Sequence, residues 1–434
     1  MAERLKTAKD IAGFMADYYY ELDEASRSRK RKIAWCSSVG PVEILRSIGF
    51  LTYFPENHSA LLGTRRMAAD LIPSANAAGY SPDICSYLTA DIGACIQGVT
   101  PLSKAFPGIE QIPRADVLVY NTNQCRDVQD WFSWYSKRFQ APLVGMETHR
   151  SVEEVTEAHV SSIAAQMENM VEPLERIAGR RLDMDELKNI IGLSRRCSDL
   201  WEECLAAAAA SPSPLTFFDA TTLMGPAVVG RGTGAVIDLY RLLLEELNER
   251  IERSEGAIDG DERFRIFWEG MPVWGRLGAH SRLFGDLGAA VVASTYCSTW
   301  IFSALDPANP FESMARAYTE LFAVRSDNYK EKYIRERLEF FKCDGIVYHD
   351  AKTCPGNSNC RYGMAQRLQA HTGIPALVIN GDLNDLRLIS DEQTKTKVEA
   401  FIEQLEEAKG WNGCRTPGAG GGKSDIRYPS GGAM

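Results

Sequence analysis

Short apolar runs rich in β-branched residues alternate along this chain with longer stretches in which apolar side chains return every three or four positions. Runs of the first kind are too brief for buried helices and read as strands; stretches of the second kind read as amphipathic helices. Residues 1–32 are charged and helix-like, and the basic run 27–32 reads as a solvated face. Residues 32–40 are a strand and turn, Val42, Ile44 and Leu45 share a helical pattern, and a second strand follows at 50–54. Helical segments are expected around 59–72, and residues 79–87 open another helix with Cys85 near its first turn. Residues 115–125 are a strand whose loop ends in Cys125, and a strand at 142–146 closes a first α/β domain over 33–150.

The pattern then changes. Over 151–210, Ser151 with Glu154 and Asp183 with Glu186 have capping-box spacing and the segments between them are helical, which predicts a helical insertion and linker over 151–260. Cys197 and Cys204, seven residues apart, share one helix face and read as packing residues. Ser211-Pro212-Ser213-Pro214 is the clearest linker, 238–251 a strong amphipathic helix and 255–261 a polar boundary. After it the opening pattern returns. Residues 265–272 answer 32–41, 289–294 answer the strand near Phe50, 345–354 answer 117–125, and 375–382 answer 142–147. The fold class expected is therefore α/β, two parallel-sheet domains of related design with a helical N-terminal segment and a helical insertion; the second domain spans 261–410. Residues 391–407 form its last helix, and the glycine-rich tail 411–434 is expected to be mobile.

With 434 residues and 45% hydrophobic content, the chain can bury two or three cores. A formal charge of −10 argues against nucleic-acid or acidic-membrane partners, and no apolar stretch approaches the length of a membrane span or a signal peptide. Eleven cysteines, an odd number without a secretion signal, fit a reducing, cytoplasmic compartment. No Cys-x-x-Cys occurs and no two histidines lie at helical spacing, which removes zinc-ribbon, thioredoxin-like and zincin readings. Gly420-Gly421-Gly422-Lys423-Ser424 imitates the end of a phosphate-binding loop, but Pro417 stands where the leading glycine belongs and no strand precedes it. Gly230-Arg231-Gly232-Thr233-Gly234 reads as a glycine-rich turn before a helix, without the dinucleotide spacing. Any ATP chemistry must lie in a partner.

The candidate chemistry is in the cysteines. Cys85 sits at a helix start, where unpaired N–H groups favour a thiolate, and Cys125 and Cys354 sit where strands run out into loops, the ligand-binding edge of open α/β sheets. Cys36 and Cys297 read as strand-terminal packing residues. Thiolates in threes or fours select iron–sulfur clusters or zinc, but separations of 40 and more than 200 residues form no motif, and spacing alone does not decide between a shared cluster and buried packing thiols. If the two domains are equivalent, a cleft between them brings Cys125 and Cys354 together.

Four segments in order carry a resemblance. They are residues 79–87 around Cys85; Asn123-Gln124-Cys125 with Trp131-Phe132; 344–349 with Thr353-Cys354; and 380–385 followed by 394–405. Together, across about residues 30–408, they resemble the 2-hydroxyacyl-CoA dehydratase and ATP-dependent benzoyl-CoA reductase family. The resemblance implies a pair of flavodoxin-like domains and one [4Fe–4S] cluster bound by Cys85, Cys125 and Cys354, with one iron left open. It further implies single-electron reduction of an acyl-CoA, a second related catalytic subunit, reduced ferredoxin, and an ATPase activator pair carrying its own [4Fe–4S] cluster. Cys360 departs from the simpler dehydratase pattern; it is either a structural thiol or an additional or alternative ligand. Its setting, Asn357-Ser358-Asn359-Cys360-Arg361 after Ala351-Lys352-Thr353-Cys354-Pro355, is most similar to benzoyl-CoA reductase catalytic subunits, which implies dearomatisation of benzoyl-CoA to cyclohexa-1,5-diene-1-carbonyl-CoA. The alternatives are dehydration of a 2-hydroxyacyl-CoA through a ketyl radical and a non-catalytic electron relay. His349, beside the cluster loop, is a candidate proton donor or a buttress of that loop, and Lys352 and Arg361 are either CoA-phosphate contacts or solvent-facing charges.

Overall fold

The computed structural model of the chain describes residues 5–410. The tail from 411 onward, including the phosphate-loop imitation at 420–424, lies outside the described residues. Among the described residues eight strands form two sheets of four: β1 (Ile33–Cys36), β2 (Leu51–Tyr53), β3 (Val117–Asn121) and β4 (Leu143–Met146) in one, β5 (Phe264–Glu269), β6 (Ala289–Ser294), β7 (Gly345–Ala351) and β8 (Ala376–Gly381) in the other. Their orders, β2-β1-β3-β4 and β6-β5-β7-β8, are the same arrangement twice, and every pairing is parallel. The order is that of flavodoxin-like sheets, reversing direction between β1 and β3 and again between β5 and β7. Parallel strands covered by helices on both faces are mostly apolar, and β1, β3, β5 and β6 are buried from end to end, Asn121, Arg265 and Glu269 included.

Helices fill the remaining layers. The N-terminal helix Thr7–Ser28 starts against the Glu246 carboxylate, which accepts from the Lys6 and Thr7 N–H groups at 2.6 and 2.9 Å, and so is tied to the insertion helix Gly234–Glu252. Helices Glu157–Ala178 and Met184–Ala206 form the core of the insertion, and Cys197 and Cys204 are buried on the second. Asp183 caps that helix as expected, accepting from Asp185 and Glu186 N–H. The expected cap at Ser151 is corrected: the first insertion helix is capped by Thr156 in a box with His159. Ser151 instead has φ +57°, and Val152 exchanges backbone hydrogen bonds with Val324 and Ser326, which fixes it as a short bridge and delays the helix. The helical stretch around 59–72 is two helices, Pro55–Thr64 and Ala68–Ala77, broken where Arg66 turns to φ +57°.

The two sheets meet carboxyl end to carboxyl end, because the segments following their strands bond to one another. Asn384, after β8, donates its Nδ2 to Ser59 O at 2.8 Å, Arg66 Nε donates to Gly275 O at 3.1 Å, and Trp274 Nε1 donates to the Tyr87 hydroxyl. Gly63 lies in this seam: a Cβ there would stand 2.0 Å from Asn384 Oδ1 and 2.7 Å from Trp274 Cβ. Gly63→Ala is expected to cost about 1–3 kcal/mol by overpacking the domain contact; a thermal or urea midpoint indistinguishable from the parent's would show that the seam yields without cost.

Candidate functional site

Three cysteines arrive at the seam from three separated stretches. Cys85 is the N-cap of helix Ser86–Gln97, Cys125 lies four residues past β3, and Cys354 three residues past β7. Each is half-buried. Asp127, opening the helix after Cys125, accepts the Cys85 backbone N–H at 3.0 Å, so the Cys125 loop holds the Cys85 loop directly. Asn357 Nδ2 donates to the Cys354 sulfur at 3.4 Å, and a Cβ on Gly356 would be 3.9 Å from Gln124 O, the residue before Cys125. Lys352 and Asp83 form a 3.1 Å ion pair between the other two loops, and both side chains are exposed.

One carboxylate fastens two of these loops from below. Asp382, fully buried just after β8, accepts five hydrogen bonds. They come from Ser86 Oγ, from Thr353 N–H and Oγ1 at 2.9 and 2.6 Å, and from the N–H groups of Asn384 and Asp385 at 3.1 Å each. Ser86 follows Cys85 and Thr353 precedes Cys354, and Ser86 N–H donates to Thr353 Oγ1 at 3.0 Å. These bonds tie the residues beside Cys85 and Cys354 to one buried side chain, which holds the two cysteine backbones together.

The thiols act on one another. Burial raises the Cys85 thiol well above its ordinary range, and the charges of Cys125 and Cys354 raise it further. Cys125 is pushed up to about 12 by burial, then by Cys354 and Asp127; Cys354 is pushed up to about 11 by burial, against the Asn357 hydrogen bond. Three thiols close enough to oppose each other's ionisation are a donor set that a cation completes.

The sequence reading missed an acid at the carboxyl edge of the first sheet. Glu56, in the first turn after β2 and 9% exposed, accepts Ser38 N–H on Oε1 at 3.0 Å, while its Oε2 is buried without a partner. Burial raises its carboxyl to about 7. Its charge bears on Tyr296, a half-buried residue after β6 that Tyr87 hydrogen-bonds and that also feels Cys354. The signal available in the sequence was a carboxylate directly after a short apolar strand, at the sheet edge where ligands bind.

A family model described as "2-hydroxyglutaryl-CoA dehydratase, D-component" matches residues 37–405. The chain belongs to this 2-hydroxyglutaryl-CoA dehydratase D-component family. It is 28% identical over 416 residues to the (R)-2-hydroxyisocaproyl-CoA dehydratase alpha subunit of Clostridioides difficile, covering 95% of this chain and 99% of the relative. It is 27% identical over 384 residues to a benzoyl-CoA reductase subunit of Thauera aromatica, covering 85% and 87%. The lactoyl-CoA dehydratase alpha subunit of Anaerotignum propionicum is 27% identical over 414 residues, covering 94% and 98%. Relatives named as dehydratase and as reductase subunits thus align along most of the chain.

Against the family's chemistry, the remaining candidates sort by position. His349 is fully buried in β7; its Nδ1 donates to Met271 O at 2.6 Å, its Nε2 has no partner among the described residues, and burial lowers its pKa. Through that bond the imidazole ties β7 to the Met271 turn. Arg361 pairs with Asp350 and donates to Ala351 O at 3.0 Å, bracing the Cys354 loop. The charged groups bearing on Cys360 are Glu269, Asp350 and Arg361, whereas those bearing on Cys85 include the other two cysteines of the trio. Cys36 and Cys297 are buried, the latter 3.6 Å from Thr221 Oγ1.

The three loops at the seam offer thiols as donors, the ligand type that iron–sulfur clusters take. Among the described residues, no three His, Cys, Asp or Glu side chains converge on a point that a single ion would fill. A tetrahedral zinc site needs its sulfurs within about 4 Å of each other, given bonds of about 2.3 Å. A four-iron cluster spreads its ligands wider and takes thiolates alone. Among the described residues no helix is long and apolar enough to cross a membrane.

Proposed function

We propose that this chain is an iron–sulfur catalytic subunit that reduces benzoyl-CoA to cyclohexa-1,5-diene-1-carbonyl-CoA, with Cys85, Cys125 and Cys354 holding one [4Fe–4S] cluster. The observation that carries this reading is the meeting of the three cysteine loops at the seam, tied by the Asp127 and Asp382 hydrogen bonds, in a chain of this family. When bound, the cluster supplies single electrons that no side chain can supply. Ring reduction consumes two electrons and two protons, so the chain must bring protons to a site from which water is largely excluded. Glu56 suits that task, as a carboxyl neutral below about pH 7 with its Oε2 uncommitted. Tyr87 and Tyr296 line the same side with hydroxyls. Reduced ferredoxin as donor, an ATPase pair with its own [4Fe–4S] cluster and a second related subunit complete the proposed complex; that the relatives are themselves named as subunits supports an assembly.

A second reading is dehydration of a 2-hydroxyacyl-CoA, favoured by the dehydratase alpha subunits among the relatives. It needs no net electrons, so the two differ in stoichiometry. The purified complex, assayed with benzoyl-CoA and with a 2-hydroxyacyl-CoA in the presence of ferredoxin and ATP, separates them: ring reduction consuming two electrons per product supports the first, and water loss without net electron consumption replaces it by the second. A substrate-induced change in this subunit's cluster spectrum excludes a bare relay.

Glu56 carries a pH prediction. A proton donor must be protonated, so turnover should be level below about pH 7 and fall about tenfold per unit above it, with the midpoint that burial sets. Glu56→Gln should lower the rate about 10²-fold and abolish that limb. A Glu56→Gln profile that retains both rate and limb would assign the proton to another group.

A further inference from the structure

The glycine-rich turn at 230–234 has no place in the chemistry above, yet it delivers the largest fully buried cation among the described residues. Arg231 is 1% exposed and lies between the helical insertion, the loop after β1 and helix Pro310–Thr319. Its Nε donates to Glu43 Oε1 at 3.0 Å, its Nη2 to Gly40 O at 3.2 Å and Tyr318 Oη at 3.1 Å, and its Nη1 to Ser38 O at 3.5 Å. Glu43, fully buried, also accepts from Ser194 Oγ at 2.8 Å and from the Tyr318 hydroxyl. The ring of Phe302 covers the guanidinium at 4.6 Å.

A buried ion pair is a weak device for stability, because well-packed apolar residues in its place are commonly as stable. What the fork supplies is orientation. The loop it grips is the turn at the point where the first sheet reverses its strand order. Three successive carbonyls of this loop are each taken by a side-chain donor: Ser38 O and Gly40 O by Arg231, and Val39 O by Asn123 Nδ2 at 3.0 Å. Asn123 also donates to Tyr318 O at 3.2 Å and stands two residues before Cys125. The turn is tight, with Gly40 N–H on Ser37 O at 2.7 Å, and a Cβ on Gly40 would stand 2.7 Å from the Cys36 sulfur. With its carbonyls pinned on one side, the loop presents Ser38 N–H on the other, to Glu56 at 3.0 Å.

We propose that Arg231 is a positioning residue for the acid: by gripping the Ser38 and Gly40 carbonyls it holds the Ser38 N–H on the Glu56 carboxyl. The proposal rests on the reading of Glu56 as the proton-bearing group. That N–H is the leading influence opposing burial at Glu56. The other titratable groups that bear on Glu56 or feel its charge are Asp91, Tyr296 and Cys36, none of them a cation. A lysine at 231 keeps the charge but cannot reach two carbonyls, a carboxylate and a phenol at once. Loosening the grip therefore weakens the leading contact that favours the ionised acid, and Glu56 holds its proton to higher pH.

The test follows the Glu56 carboxyl by infrared difference titration of the intact complex, with Glu56→Gln as the assignment control, in Arg231→Lys and in the double variant Arg231→Met with Glu43→Gln. The double variant removes both charges, so folding does not depend on an unpaired Glu43; Tyr318→Phe is a third, milder probe. Expected is an upward move of the Glu56 midpoint by about one unit, a tenfold weaker acid, smaller in Tyr318→Phe, with the limb of kcat moving alike and KM unchanged. A folded variant lacking Arg231 whose Glu56 midpoint stays at the parent value overturns the assignment. A parent complex in which Glu56 shows no titration near neutrality overturns the reading of Glu56 itself, and this proposal with it.

Discussion

Cys354→Ala is expected to leave a folded chain that loses its cluster and its turnover. The sulfur is half-buried on a loop braced by other groups: Ser358 Oγ donates to Cys354 O at 3.0 Å and caps Ala351 N–H at the same distance, and neither bond involves the thiol. Removing the sulfur deletes one of the three proposed ligands at little cost to the fold. Loss of a residue that merely orients a ligand typically costs a metal site 10–100-fold, so deletion of a ligand should lower activity by on the order of 10²-fold or more. Iron and acid-labile sulfide per chain, measured under anoxic conditions for alanine variants at 85, 125 and 354, should fall together in all three. Cys360→Ala is the internal comparison: the charged groups that bear on its thiol are Glu269, Asp350 and Arg361, and its iron content should match the parent's. Full iron in the 85, 125 and 354 variants would refute the ligand set, and a loss confined to Cys360→Ala would move the fourth cysteine into it.

Asp382→Ala is expected to be the most damaging single change to stability near the site, by about 3–5 kcal/mol. It strands five donors, and the Ser86 and Thr353 groups among them are buried at 1% and 3% exposure. Asp382→Asn keeps the volume but offers one acceptor oxygen and turns an N–H₂ toward donors, so it should recover only part of the loss. Urea unfolding reads the effect, and anoxic iron content reads its consequence, because the Cys85 and Cys354 backbones are set by the same carboxylate. An Asp382→Ala chain with an unchanged urea midpoint would mean that the loops are fixed by other contacts.

The sequence made the two domains readable because the central parallel strands are covered on both faces, so β1, β3, β5 and β7 stand out as largely apolar runs and the second set repeats the first. Cys85, Cys125 and Cys354 were readable as candidates for the same reason: a cysteine just past an apolar run, or at a helix start, is located by local pattern. The cap at Ser151 shows the limit of such patterns. Its spacing was correct, and a bridge to a segment more than 170 residues away took the backbone out of helical geometry.

What carries the site's electrostatics had no local mark. Asp382 meets Ser86 across 296 residues, Arg231 meets Glu43 across 188, and Glu56 is an ordinary first-turn carboxylate until burial makes it an acid of about 7. Local order follows from the side chains of a few neighbouring residues, and so composition, strand pattern and the family motifs were enough to determine two related α/β domains, two thiols at their strand ends and a third at a helix start. Which groups are buried beside those thiols, and what each then costs to ionise, depends on how the two sheet edges close upon one another, and only the tertiary structure decides that.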